Sequence, residues 1–151
     1  MTRGIAPSGH RLPTSTRVGT VRLQVADLRR SEEFYNRVLG MVTLTRGESR
    51  AAVGVPGAPE ALVELVEQPG SVPVTPGGRP GLFHFAIRLP DRESLARFAA
   101  HVGQLGLRIG SADHLVSEAL YLSDPDGLGI EVYADRPRSE WQWRGDQLVM
   151  A

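Results

Sequence analysis

From Thr20 the chain alternates. Val21, Leu23 and Val25 fall on one face of an extended strand, and Thr20, Arg22 and Gln24 fall on the other. That period of two marks a half-buried strand. The pattern then changes. Asp27 is placed to cap a helix, Leu28, Phe34, Tyr35, Val38 and Leu39 recur at helical spacing, and Gly40 marks a stop. The stretch "HFAIRLPDRESLARFAAHVGQLG" repeats the plan. Phe83, Phe85, Ile87 and Leu89 form one strand face, predicted to pack on a helix; Leu82, His84, Ala86 and Arg88 form the other. Asp91 caps a helix carrying Leu95, Phe98, Ala99 and Val102, and Gly106 follows its end. Asp27 and Asp91 stand 64 positions apart, and the same offset sets Phe34 on Phe98, Val38 on Val102 and Thr20 on His84. An offset that holds through strand, cap and core predicts an internal repeat.

Three strand-like runs follow each helix: "MVTLTR", "SRAAVGV" and "ALVELVE" in the first half, "LRIGS", "SEALYLS" and "LGIEVYA" in the second. "GESR" and "DPDG" supply turns. Each half therefore reads βαβββ, and the fold class is α+β. The expected organisation is an arm over 1–17 and one domain over 18–136. Its modules, 18–67 and 82–136, are joined by the Pro/Gly-rich linker 68–81, and a tail follows over 137–151. Helices cover only one side of each sheet. The other faces, with Thr20, Arg22, Gln24, His84, Tyr121, Glu131 and Tyr133, are too polar for a second helix layer and are expected to surround a shared concave cleft.

Composition narrows the chemistry. At 151 residues the chain has the length of one domain. Its 17 basic and 17 acidic residues cancel, so no basic surface for nucleic acid or an anionic membrane is expected. Every basic residue is Arg, which removes Schiff-base and lysine-base chemistry; the absence of Cys removes thiolates, disulfides and Cys–zinc sites. The chemistry is left to four His, the carboxylates, Ser/Thr and Tyr. No apolar run approaches a membrane span, and the N-terminus lacks the apolar core of a signal peptide, so the expected location is the cytoplasm.

The stretches "VADLRRSEEFYNRVLGM", "GLFHFAIRLPD" and "DHLVSEALYLSDPDGLGIEVYADRP" resemble the vicinal oxygen chelate superfamily, which includes glyoxalase I, bleomycin-resistance proteins, fosfomycin-resistance enzymes and extradiol dioxygenases. The last two resemble more specifically the N-terminal half of bacterial catechol-2,3-dioxygenase-like proteins. The resemblance implies two paired modules around a metal or ligand cleft, with metal ligands on the first and last strands of each module. Carried onto this chain, it implies His84 and Glu131 in the second module as ligands and Glu64 in the first as a weaker third. Thr20 stands where His or Gln is the usual ligand, and a threonine hydroxyl is a poor donor for a divalent metal beside imidazole and carboxylate. The implied ion is divalent, Fe²⁺ foremost, with Mn²⁺, Ni²⁺ or Zn²⁺ as alternatives or no metal at all. His84 and Glu131 are two thirds of a 2-His-1-carboxylate triad; the missing donor is either Glu64, giving one His and two carboxylates, or a group from outside the chain, which looks like one half of a two-domain protein, standing alone or cut at the linker.

His114 matches a second-sphere His of the extradiol enzymes and is the implied catalytic acid or base. Tyr121, Tyr133 and Thr20 are the expected substrate-binding residues. His101 reads as a surface group near a helix end, and His10 as a remote donor on the arm. Trp141 and Trp143, beyond the last strand, either fold back or pack on a partner, and a homodimer is expected. The functional expectation is a metal-dependent enzyme of the extradiol ring-cleaving type acting on a small aromatic or vicinal-oxygen substrate. The alternatives are a glyoxalase-like isomerase or lyase, with Glu64 as ligand or base, and a metal-free module that binds a small molecule.

Overall fold

The computed structural model describes residues 9–73 and 81–151. The start of the expected arm and half of the expected linker thus lie outside the described residues. The elements run β1 (Val21–Val25), α1 (Leu28–Arg37), β2 (Val42–Arg46), β3 (Arg50–Gly54) and β4 (Ala61–Glu67), then β5 (His84–Arg88), α2 (Arg92–Gln104), β6 (Gly110–Asp113), β7 (Ser117–Ser123) and β8 (Gly129–Asp135). A 3₁₀ turn (Arg138–Glu140) and a hairpin of β9 (Trp143–Arg144) and β10 (Gln147–Leu148) follow. The two large sheets have the same order, β1-β4-β3-β2 and β5-β8-β7-β6, so each half is a βαβββ module.

The repeat extends to the helix ends. Asp27 accepts the backbone N–H of Arg30, and Asp91 that of Ser94, satisfying donors that the first helical turn leaves open. Gly40 and Gly106 both take positive φ, at 69° and 68°. Just beyond them, Met41 N–H donates to the Tyr35 carbonyl and Leu107 N–H to the Val102 carbonyl. The second is the six-residue closure of a glycine-ended helix, and the first is wider by one residue. The cap-to-glycine distance is two residues longer in α2; the two helices start alike and both end at a glycine of positive φ, with closing bonds one residue different in span.

Contacts divide the described chain into two compact units: residues 19–85 with 122–130, and residues 86–121 with 131–151 and the short segment before Gly19. In the first unit, α1 packs on β2, β3 and β4. Val25, Leu28, Tyr35, Val53, Val63, Leu65 and Ile130 are among its fully buried side chains. In the second, Leu95, Val102, Val116, Ala119, Val132 and Ala134 are buried. Alternation along β8 works as its sequence implies. Ile130, Val132 and Ala134 are covered, while Glu131 and Tyr133 stay half-exposed.

Two expectations need correction. Only the last two residues of the run "LRIGS" join the strand; β6 begins at Gly110, three residues after Leu107. The Leu107 N–H is taken by the helix cap, and pairing with β7 starts only at Gly110 opposite Tyr121. Phe83 also does not pack on a helix. It precedes β5, is 87% exposed, and sets its ring edge-on to His84 at 5.4 Å.

Candidate functional site

The polar side chains of β7, β8 and the β6–β7 turn form a hydrogen-bonded line within one unit. Tyr121 alternates outward from buried Leu122 on β7, as Glu131 does from Ile130 and Val132 on β8. Nε2 of His114 lies 2.9 Å from the Tyr121 hydroxyl, and Nδ1 lies 2.7 Å from the backbone oxygen of Ala151. Which of the two ring nitrogens donates and which accepts follows from the tautomer. The Tyr121 hydroxyl also hydrogen-bonds to Glu131. The Tyr121 hydroxyl thus has two hydrogen-bond partners, an imidazole nitrogen and a carboxylate. Burial raises the Tyr121 pKa above that of a free tyrosine, and the Glu131 charge and hydrogen bond raise it further.

His114 is held by a tightly fixed turn. Its N–H donates to the Ser117 carbonyl, and Leu115 takes φ of 66°, a left-handed conformation that is uncommon without glycine. The Asp113 carboxylate accepts the Leu115 N–H at 2.8 Å and Arg136 at 2.8 Å. Arg136 also donates to Glu118, whose other oxygen accepts Arg92 at 2.6 Å. The Leu115 N–H, and then Arg136, hold Asp113 below the usual carboxylate range; Arg136, then Arg92, do so for Glu118. Trp141 Nε1 donates to the Arg136 carbonyl, and Arg138 sits over the Trp141 ring at 5.1 Å. This tryptophan folds back and completes the clamp. Sequence reasoning missed Asp113, Glu118, Arg92 and Arg136. Only the Asp-His-Leu turn signature pointed there, and the charge partners lie 18 to 26 residues apart.

His84 opens β5 in the other unit, half-buried. Its place depends on Gly129, whose N–H donates to the Phe83 carbonyl at 3.3 Å. A Cβ on Gly129 would stand 2.9 Å from both His84 Cβ and the Phe83 oxygen, so only glycine admits this approach. The β7–β8 turn is equally specific. Asp124, 6% exposed, accepts the N–H groups of Asp126 and Leu128 and the hydroxyl of fully buried Tyr35. Asp126 accepts the Ala26 N–H at 3.0 Å and pairs with Arg30, tying the turn to the start of α1. Burial raises the pKa of Asp124 and of Tyr35. "DPDG" thus does more than reverse the chain.

The first module's polar face is built differently. Arg22 stands opposite Glu64 across β1 and β4, with Nε 2.6 Å from the carboxylate. Thr20 donates its hydroxyl to the Ala61 carbonyl at 2.9 Å. The described residues include every His, Asp and Glu of the chain, and among them no three gather as a metal cluster. With Glu64 engaged by a guanidinium and Thr20 bonded to the backbone, this chain by itself does not fit a three-donor metal centre. Among the described residues no helix is long and apolar enough to cross a membrane.

Comparison with known proteins agrees with this architecture. The family model described as "Glyoxalase/Bleomycin resistance protein/Dioxygenase superfamily" matches residues 17–132. A Bacillus subtilis (strain 168) protein named catechol-2,3-dioxygenase is 46% identical over 127 residues, covering 84% of this chain and 44% of that protein. The chain therefore spans less than half of that relative's length. A lactoylglutathione lyase of Escherichia coli O157:H7 is 30% identical over 122 residues, 76% of this chain and 89% of that one. Among solved structures, a glyoxylase/bleomycin resistance protein/dioxygenase domain from Frankia sp. EAN1pec has a TM-score of 0.69 at 23% identity, covering 83% of this chain and 96% of the other. A glyoxalase/dioxygenase from Nostoc punctiforme has 0.67 at 20% identity, covering 87% and 100%. At these identities the structures speak to the fold, and with the family model and the sequence relatives they lead to one conclusion: the chain belongs to the glyoxalase/bleomycin resistance protein/dioxygenase superfamily.

Proposed function

We propose that this chain serves extradiol-type ring cleavage, taking a small aromatic molecule with vicinal oxygens at the polar face of its second module. The observation that carries the reading is Tyr121, whose hydroxyl stands between His114 and Glu131. Opening a catechol requires a hydroxyl proton to leave and later a proton to return. In this reading His114, fixed by its turn, exchanges the proton through Tyr121, and Tyr133 lines the substrate. The 46% identity to a protein named catechol-2,3-dioxygenase supports the reaction class. Such chemistry draws on a divalent metal, Fe²⁺ in our reading, for which His84 and Glu131 are each a candidate donor. The third donor would come from another chain, and a homodimer in the cytoplasm belongs to the same proposal.

The test is anaerobic reconstitution with Fe²⁺, measurement of bound metal, and catechol loss on admitting air. Wild type is expected to open catechol and to hold metal that His84→Ala and Glu131→Ala abolish. Tyr121→Phe should keep its metal and lose about 10²-fold in rate, the scale of a positioned proton donor or acceptor. Metal-loaded wild type that leaves catechol intact would end the dioxygenase reading. A second reading, a metal-free module that binds a small molecule, is favoured by the first module's face, where Arg22 occupies Glu64 and Ala61 occupies Thr20. Catechol binding unchanged by chelator and without turnover would decide for it. The same Arg22–Glu64 pair counts against a glyoxalase-like role for Glu64.

A further inference from the structure

We propose that the polar face of the first sheet is a binding site for a small monocarboxylate, with Arg22 as its recognition residue. The register places Arg22 opposite Glu64 and Glu64 opposite Ala52, a row that crosses β1, β4 and β3 as charged, charged, small. Arg22 spends only Nε on Glu64, at 2.6 Å, and its side chain is 72% exposed. The guanidinium is a planar fork of five donors, so Nη1 and Nη2 are left for a further acceptor.

Beside them lies a concavity of about 590 Å³ lined by Thr20, Arg22, Ala52, Ala61 and Glu64. Ala52 and Ala61 put no bulk into it. The Thr20 hydroxyl is turned onto the Ala61 carbonyl and does not compete for Arg22. The fork matches the two oxygens of a carboxylate in plane. Glu64 selects among anions. It already neutralises Arg22, so a monoanion leaves the group with one excess negative charge, whereas a phosphate dianion leaves about two and is disfavoured. The site is independent of the ring-cleavage reading, because it needs neither metal nor a proton relay.

The test is NMR titration of the full chain with sodium benzoate, with neutral benzamide as its isostere and inorganic phosphate as the competing anion, at low ionic strength. Benzoate is expected to shift the backbone amides of Arg22 and Glu64 and to bind about 10-fold more tightly than benzamide, the scale of one charge-assisted hydrogen-bonded pair. Arg22→Gln should bring benzoate down to the benzamide level with the fold intact, as the unshifted amides of β6–β8 would report. Equal affinity for benzoate and benzamide, no benzoate response at 20 mM, shifts confined to other residues, or an Arg22→Gln variant that binds benzoate as before would each overturn the proposal. Phosphate binding as tightly as benzoate would overturn the assignment to carboxylates.

Discussion

The two modules share a frame and differ in what their sheets display. Both have an aspartate cap, a glycine-closed helix end and the same strand order. On the first, the polar face closes on itself: Arg22 meets Glu64, and Thr20 meets Ala61. On the second, the Tyr121 hydroxyl meets both His114 and Glu131. The β3–β4 connection of the first module is "VPGAPE", without an aspartate, while the β7–β8 connection carries Asp124 and Asp126. Two residues before Glu64 stands Leu62; two before Glu131 stands Gly129. The repeated positions hold the fold, and the positions that break the repeat gather around the second module's last strands.

The largest effect should follow from removing a device only the second module has. Asp124→Ala strands the buried Tyr35 hydroxyl and the N–H groups of Asp126 and Leu128, a loss of about 2–4 kcal/mol in urea unfolding. Asp124→Asn keeps the accepting oxygen and removes the buried charge. Burial raises the native pKa of Asp124, so the native state binds its proton more readily than the unfolded chain does. The stability from that proton is full below the ordinary carboxylate pKa and is lost as pH rises through the raised value. Asp124→Asn should therefore match or exceed wild type at neutral pH and lose ground to it as pH falls into the acid range, read as Tm against pH.

A smaller loss should follow at Gly129. An added Cβ meets His84 Cβ and the Phe83 oxygen, so Gly129→Ala should cost about 1–3 kcal/mol, typical of overpacking, and shift the His84 ring resonances. If Gly129→Ala is neutral, the close approach at the start of β5 is not what distinguishes the modules. The smallest effects test the shared frame. Asp27→Ala and Asp91→Ala should each lower the urea midpoint slightly and by similar amounts, because each removes one cap acceptor at an exposed helix start. A large difference between the two would break the equivalence on which the comparison stands.

Local chemistry made the frame legible in sequence. Alternation, cap and glycine act within a few residues, so "VRLQVAD" and the stretch ending at Asp91 announce the same unit. The start of β6 was misplaced because the preceding helix takes the Leu107 N–H for its closure, a claim that hydrophobicity does not reveal. The site was only partly legible. Glu131 is legible from the polar face of its strand, and His114 from the family resemblance, but their link through Tyr121 depends on tertiary geometry. Arg22 and Glu64 are 42 residues apart and meet only once parallel pairing sets them opposite each other. That pairing turns Glu64 from an available carboxylate into an engaged one.

The most direct test of the central claim, that the second module's face handles the substrate, is calorimetric titration of catechol into the Fe²⁺-loaded protein without oxygen. It compares wild type with Tyr121→Phe, Glu131→Gln and, as a first-module acid control at the end of β4, Glu67→Gln. The account predicts catechol binding weakened about 10-fold or more by Tyr121→Phe and Glu131→Gln and unchanged by Glu67→Gln. Binding that survives both second-module substitutions, or that falls equally with Glu67→Gln, would contradict it.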